Sequence, residues 1–232
     1  MSSNKHGLKC VIPEGVRNIN DGLFDGVTDI TGIQLPSTLK RIGQEAFSFT
    51  SIQSVTTPEG VTSIEWCCFR GCVSLTSVTL PPTLKLINEK AFYRTSIREV
   101  IVMGGIKKYW CKVPLFIKNI LNKKGIECPN CYLDQEDIKR KEVTIENGHC
   151  VVPEGVISIG NSCFKGCSSL TSIQLLSTLM SIGDCAIVYN PTSFESHLRG
   201  TQRKIPLKQV EVPKNCKIGL NAFEDDCKVI FK

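Results

Sequence analysis

Apolar and polar positions along this chain recur in a fixed order every 22 or 23 residues, from Pro13 to Pro36, Pro58 and Pro81, and the order returns at Pro153. In this register an isoleucine stands six residues after the opening position, at Ile19, Ile42, Ile64, Ile87, Ile159 and Ile182. Five residues later comes an aromatic: Phe24, Phe47, Phe69, Phe92, Phe164, and Phe223 in a shortened last copy. Before it sits a small residue, Ala46, Cys68, Ala91, Cys163 or Ala222, with Leu23 the exception. Each unit closes on an alternating apolar stretch such as Leu75 to Leu80, the period-two signature of a strand. A repeat of this length predicts a stacked array, because one unit cannot bury its apolar face without a neighbour. Positions apolar in every copy face the shared core, and freely varying ones face water. The pattern therefore predicts one strand per unit in a parallel sheet, ending near Leu35, Thr57, Leu80, Val102, Leu175 and Val212. Strand spacing of about 4.8 Å makes such an array elongated and curved. Phe69 and Phe164 are expected in its core, with stacked equivalents on either side.

A longer rhythm of 45 residues, Pro13 to Pro58 and Pro36 to Pro81, overlies the short one. Units one, three and five open with Pro-Glu-Gly-Val, whereas units two, four and six carry Ser-Thr-Leu or Pro-Thr-Leu. Units two and four also lose one residue in the turn after the aromatic. This alternation suggests duplication of a pair. After Val102 the register dissolves. Pro114 to Lys124 predicts an amphipathic helix, its proline suiting a helix start and Gly125 a C-terminal cap. The segment Glu146 to Pro153 echoes His6 to Pro13 and reads as a restart of the array. Three regions follow: a first array over 1–102 with four units, an irregular basic insertion or degenerate repeats over 103–145, and a second array over 146–232. The last is interrupted near 188–208.

These positions resemble the BspA-like, or treponemal-type, leucine-rich repeats, whose units read roughly I-P-x-x-V-x-x-I-G-x-x-A-F-x-x-C-x-x-L-x-x-V-x-L. The match covers Ile12 to Val102, Val152 to about Val188, and Val212 to Phe231 with one deletion. The resemblance implies a β-rich, curved, right-handed solenoid with a parallel concave sheet and short extended segments on the convex side. It further implies an adhesion or protein-interaction surface, with no catalytic residues to carry over. A proline follows the Leu75, Val78, Leu80 core where other leucine-rich repeats place asparagine.

Composition changes this picture little. With 232 residues and 41% apolar content, the chain can bury a substantial core. The opening residues MSSNKHGLKC carry no apolar run of the secretory kind, and no stretch of 18 apolar residues occurs, so a soluble, cytoplasmic protein is expected. Thirteen cysteines raise the question of a disulfide scaffold. Cys68 and Cys163, however, fill the slot that alanine fills in sister units, so reduced core thiols are the expected state.

Candidate chemistry is sparse. Cys128-Pro-Asn-Cys131 has the spacing of a zinc half-site that Cys111 with His149 or Cys150 would complete. The second half-site lacks paired spacing, so the pair reads instead as a loop feature, and no metal or other cofactor is expected. From Met103 to Glu142 nine Lys or Arg stand against five Asp or Glu. Lys107, Lys108, Lys123, Lys124, Lys139, Arg140 and Lys141 either attract an acidic partner or simply form a solvated face. The second insertion adds Arg199, Arg203, Lys204 and Lys208, along with His197, for which no oriented third group completes a catalytic set. Aromatics near these cations are too few for a nucleic-acid stacking platform. The expected function is non-enzymatic binding of a partner protein, with a surface adhesin or a zinc-stabilised regulator as alternatives. Exposed first and last units leave end-to-end self-association open. Alternation in the closing strands selects Gln34, Thr56, Thr79, Ile101, Gln174 and Glu211 as one outward row on the concave sheet, the expected binding site.

Overall fold

A computed structural model describes residues 7–105, 113–127, 131–188 and 205–232. The fold is a parallel β-solenoid with few helices. It divides into two compact units, Met1–Val113 with Ile117–Pro129, and Pro114–Phe116 with Asn130–Lys232.

In the first unit each turn makes a longer and a shorter strand. The longer strands are Leu8–Val11, Ile30–Gln34, Ser54–Thr56, Ser77–Leu80 and Glu99–Val102. The last four end within a residue of the positions that the pattern predicts, and Leu8–Val11 is an additional strand before them. Parallel register pairs Val55 with Val78 and Val78 with Val100, so the buried middle residue of each strand stacks on its equivalent. The shorter strands, Asn18–Ile19, Arg41–Ile42, Ser63–Ile64 and Leu86–Ile87, bury the periodic isoleucine. These are the extended segments that the family resemblance implies.

Between short and long strand, the aromatic slot forms a continuous stack. Phe24, Phe47, Phe69 and Phe92 lie with successive ring centroids 5.3, 5.5 and 5.5 Å apart and planes nearly parallel. One turn per strand spacing brings identical rings to offset-stacking distance, which explains why an aromatic recurs. The N–H groups of Phe24, Phe47 and Phe69 donate to the carbonyl of the small residue in the next turn, Ala46 at 2.9 Å, Cys68 at 2.9 Å and Ala91 at 2.8 Å.

The second unit repeats this plan with departures. Cys131–Leu133, Val156–Ile159, Ser181–Ile182 and Lys217–Ile218 pair in parallel as its short strands. Part of the 103–145 insertion therefore supplies a solenoid strand. Its long strands are His149–Val151, Ser172–Gln174, Gln209–Val212 and Lys228–Phe231. The segment read as a restart of the array supplies its first long strand, His149–Val151, which pairs in parallel with Ser172–Gln174 as Leu8–Val11 does with Ile30–Gln34, and it is also one arm of a hairpin. Ile145–Glu146 runs antiparallel to His149–Val151, with Asn147 and Gly148 at φ 49° and 81° forming the two-residue turn. Asn-Gly adopts this left-handed pair cheaply and sets the register. Phe164 is buried as expected, but the next turn holds Ile187 in its slot, so the expectation of a stacked ring on either side fails there.

The predicted helix is present as α1, Leu115–Lys123. It is closed by Gly125 at φ 74°, with Ile126 N–H reaching back to Leu121 O at 3.0 Å, as a left-handed C-terminal cap requires. A second helix that the pattern does not announce, α2 at Gln135–Lys139, follows strand Cys131–Leu133.

Candidate interaction surface

The six row residues divide between the units. In the first, Thr56 pairs with Thr79 and Thr79 with Ile101, while Gln34 pairs with Val11 in the strand before it. Backbone bonds from Ser51 and Gln53 to Ile30 and Thr31, each 3.1 Å, carry the ladder from Gln34's strand to that of Thr56. In the second, Gln174 pairs with Val151 and Glu211 with Ile230. Gln34, Thr56, Ile101, Gln174 and Glu211 are exposed and Thr79 is half-buried, as outward positions should be.

Sequence reasoning missed Val11, Val151 and Ile230. The signal was available for the first two, because each stands one residue before the final apolar position of its strand, as Thr79 does before Leu80. Their inclusion changes the surface. In the first unit three polar side chains are bracketed by Val11, 57% exposed, and Ile101, 41% exposed.

A second outward row lies beside it: Lys9, Gly32, Ser54, Ser77 and Glu99. Ser77 Oγ donates to Glu99 Oε2 at 3.1 Å, and Lys124 Nζ stands 3.7 Å from Glu99 Oε1. The basic segment after α1 thus reaches this face. In the second unit His149 Nδ1 and Ser172 Oγ share a hydrogen bond of 2.7 Å, and Glu211 is ion-paired with Lys232.

Other candidates are dispersed. Cys111 and Cys128 lie outside the described residues, as do Lys107, Lys108, Tyr109, Trp110, His197, Arg199, Arg203 and Lys204. Cys131 sits in a short strand and its thiol donates to Gly155 O at 3.1 Å. Cys150 is buried in a long strand, its thiol pushed up to about 12 by burial and then by the neighbouring Cys167. A zinc ligand must be a thiolate, so this setting disfavours Cys150. Among the described residues no group of three His, Cys, Asp or Glu is placed to hold a metal ion. Within the basic segment, Arg140 lies over the Phe116 ring at 4.3 Å, a packing role rather than a solvated one.

The profile of the BspA type leucine rich repeat region matches six copies over residues 4–110 and 143–230. The chain belongs to that family. Its leucine-rich-repeat fold is typically non-enzymatic, and the family suggests a protein-interaction or surface-protein role. Among solved structures the chain is similar to a leucine-rich repeat protein from Bacteroides ovatus, at 16% identity over 95% of this chain and 76% of that one, with a TM-score of 0.38. It is similar to one from Eubacterium ventriosum, at 18% identity over 96% and 59%, TM-score 0.49. It is also similar to the pneumococcal vaccine antigen PcpA, at 17% identity over 96% and 62%, TM-score 0.44. No curated protein matches the sequence. Among the described residues no helix is long and apolar enough to cross a membrane.

Proposed function

We propose that this protein is a non-enzymatic interaction module that holds a partner protein against the face of its longer strands, with the flanking basic segments steering the approach. The observation that carries this reading is the in-register row Val11, Gln34, Thr56, Thr79 and Ile101 in the first unit. Small polar side chains between two exposed apolar ones give a flat contact area, with hydrogen-bonding groups and apolar anchors at its ends. Gln174 and Glu211 extend the same use to the second unit. Parallel sheets are normally covered on both faces, so a face left open to water is available to a partner. Lys124 beside Glu99 places one cation of the basic segment at the rim, where charge acts mainly on association rate. Complete burial of Cys68 and Cys163 at alanine slots supports reduced thiols and a cytoplasmic setting. Adhesion at a cell surface is the second reading, favoured by family membership, and it would use the same face.

The test begins with a partner recovered from the source cell. Thr79→Arg with Ile101→Arg should abolish its binding while leaving the melting temperature nearly unchanged, because both side chains point outward. Binding that survives these changes, but fails when Lys123, Lys124, Arg203 and Lys204 are neutralised, would move the site to the loops. Fractionation of the source cell then separates a cytoplasmic module from an adhesin.

A further inference from the structure

In the second unit the long strands Ser172–Gln174 and Gln209–Val212 belong to separate sheets, whereas Ser172–Gln174 pairs in register with the strand before it. Beside their exits lies a cleft of about 520 Å³, in the size range of small-molecule sites. Leu175, Leu179 and Met180 line it from one turn, and Val212, Pro213 and Lys214 from the next.

Two of these residues break with their sister turns. Met180 N–H bonds Ile157 O of the preceding turn at 2.8 Å, as Lys40 N–H bonds Arg17 O and Lys85 N–H bonds Thr62 O. The slot thus holds lysine in two turns and methionine here, 63% exposed. Lys214 follows a proline in a turn that Cys216 N–H closes on Pro213 O at 2.9 Å. Val16, Val61 and Val156 close the same turn on Pro13, Pro58 and Pro153, and there the residue after the proline is Glu14, Glu59 or Glu154. An apolar side chain therefore stands in a cation slot and a cation in an acid slot, on the two turns that line the cleft. Lys214 forms no ion pair among the described residues, while Lys232, whose carbonyl accepts from Lys214 N–H at 2.8 Å, pairs its own ammonium with Glu211. A methionine thioether adapts to apolar groups of varied shape, and an ammonium is a point charge suited to a carboxylate.

We propose that this cleft binds a small aliphatic carboxylate, whose apolar body lies on Leu175, Met180 and Pro213 and whose carboxylate meets the Lys214 ammonium. The site is separate from the long-strand face of the first unit and does not rest on the function proposed for it. The experiment follows the isotope-labelled methyl signals of the three methionines in the full chain by NMR while octanoate is added, with octylamine and octanol as controls. Octanoate should shift the Met180 signal saturably and leave that of Met103 in place. Octylamine and octanol should bind at least about tenfold more weakly. Met180→Lys and Lys214→Glu each restore the residue of the sister turns, so both should keep the Met103 signal of the native fold. Each should weaken octanoate by at least about tenfold, read from the octanoate's own signals. Lys214→Gln, which removes only the charge, gives the same reading should Lys214→Glu lose the native signal. The Thr79→Arg, Ile101→Arg protein should bind octanoate as wild type does, and a loss there would overturn the proposal. So would no saturable shift, a shift shared by all three methyl signals, equal binding of octanol or octylamine, or undiminished binding in the Lys214 variants.

Discussion

Thr57 occupies the closing position of its repeat, just after strand Ser54–Thr56, where other turns carry Leu35, Leu80, Val102 or Val212. Its N–H bonds Thr79 O at 2.9 Å, but its buried hydroxyl has no hydrogen-bond partner. Thr57→Val keeps the shape and removes the orphaned group, so it should raise stability by about 1 kcal/mol in denaturant titrations. The opposite holds at Phe69, fully buried and stacked on Phe47 and Phe92, where truncation to alanine should cost roughly 3–5 kcal/mol. Cys163→Ala should cost far less. Its thiol is fully buried, and Ala46, Ala91 and Ala222 already fill the same slot. A loss at Cys163 equal to that at Phe69 would refute the slot argument.

Among the elements, the junction of α1 and α2 depends on one carboxylate. Asp137 Oδ1 accepts from Phe116 N–H in the first turn of α1 at 2.7 Å, and its Oδ2 accepts from Asp134 N–H at 2.8 Å. Asp134 Oδ1 in turn accepts from Asp137 N–H at 3.2 Å, a reciprocal cap on α2. Burial, followed by the charge of Asp134, pushes the Asp137 carboxyl well above its ordinary value. A carboxyl whose folded pKa is raised holds its proton more tightly when folded. Its contribution is therefore present below the ordinary carboxylate range and is lost as pH rises through the raised value. Wild type should lose melting temperature between mildly acidic and neutral pH relative to Asp137→Asn, whose side chain does not titrate. Parallel melting curves across that range would show that the two backbone N–H groups keep Asp137 charged instead.

Within each unit, cohesion comes from repetition: stacked isoleucines and carbonyl ladders join successive turns, and in the first unit stacked rings add to them. None of the described cysteines is joined in a disulfide. A chelator should leave the melting temperature unchanged. A large fall would bring Cys111 and Cys128 forward as zinc ligands, with Cys131 as the described member of the set.

The periodic slots determined the fold by themselves. A strand that must bury Val55, Val78 and Val100 every 22 or 23 residues can only stack in parallel, and this dictates which residues point outward. Gly125 likewise announced the end of α1 through its own backbone freedom. Where the repeat lapses, local signals competed and tertiary contacts chose among them. Glu146 to Pro153 satisfied the repeat register while containing an Asn-Gly turn, and tertiary pairing used both: Cys150 pairs with Ile173 of the next turn and with Ile145 of the hairpin. α2 is only five residues long, too short for periodicity to reveal, and it depends on a carboxylate that also caps another helix. Phe49 carries no periodic signal of its own. Its packing arises only because the next turn brings Gly71 and Arg70 against its ring, a contact between residues more than 20 positions apart that no local pattern encodes.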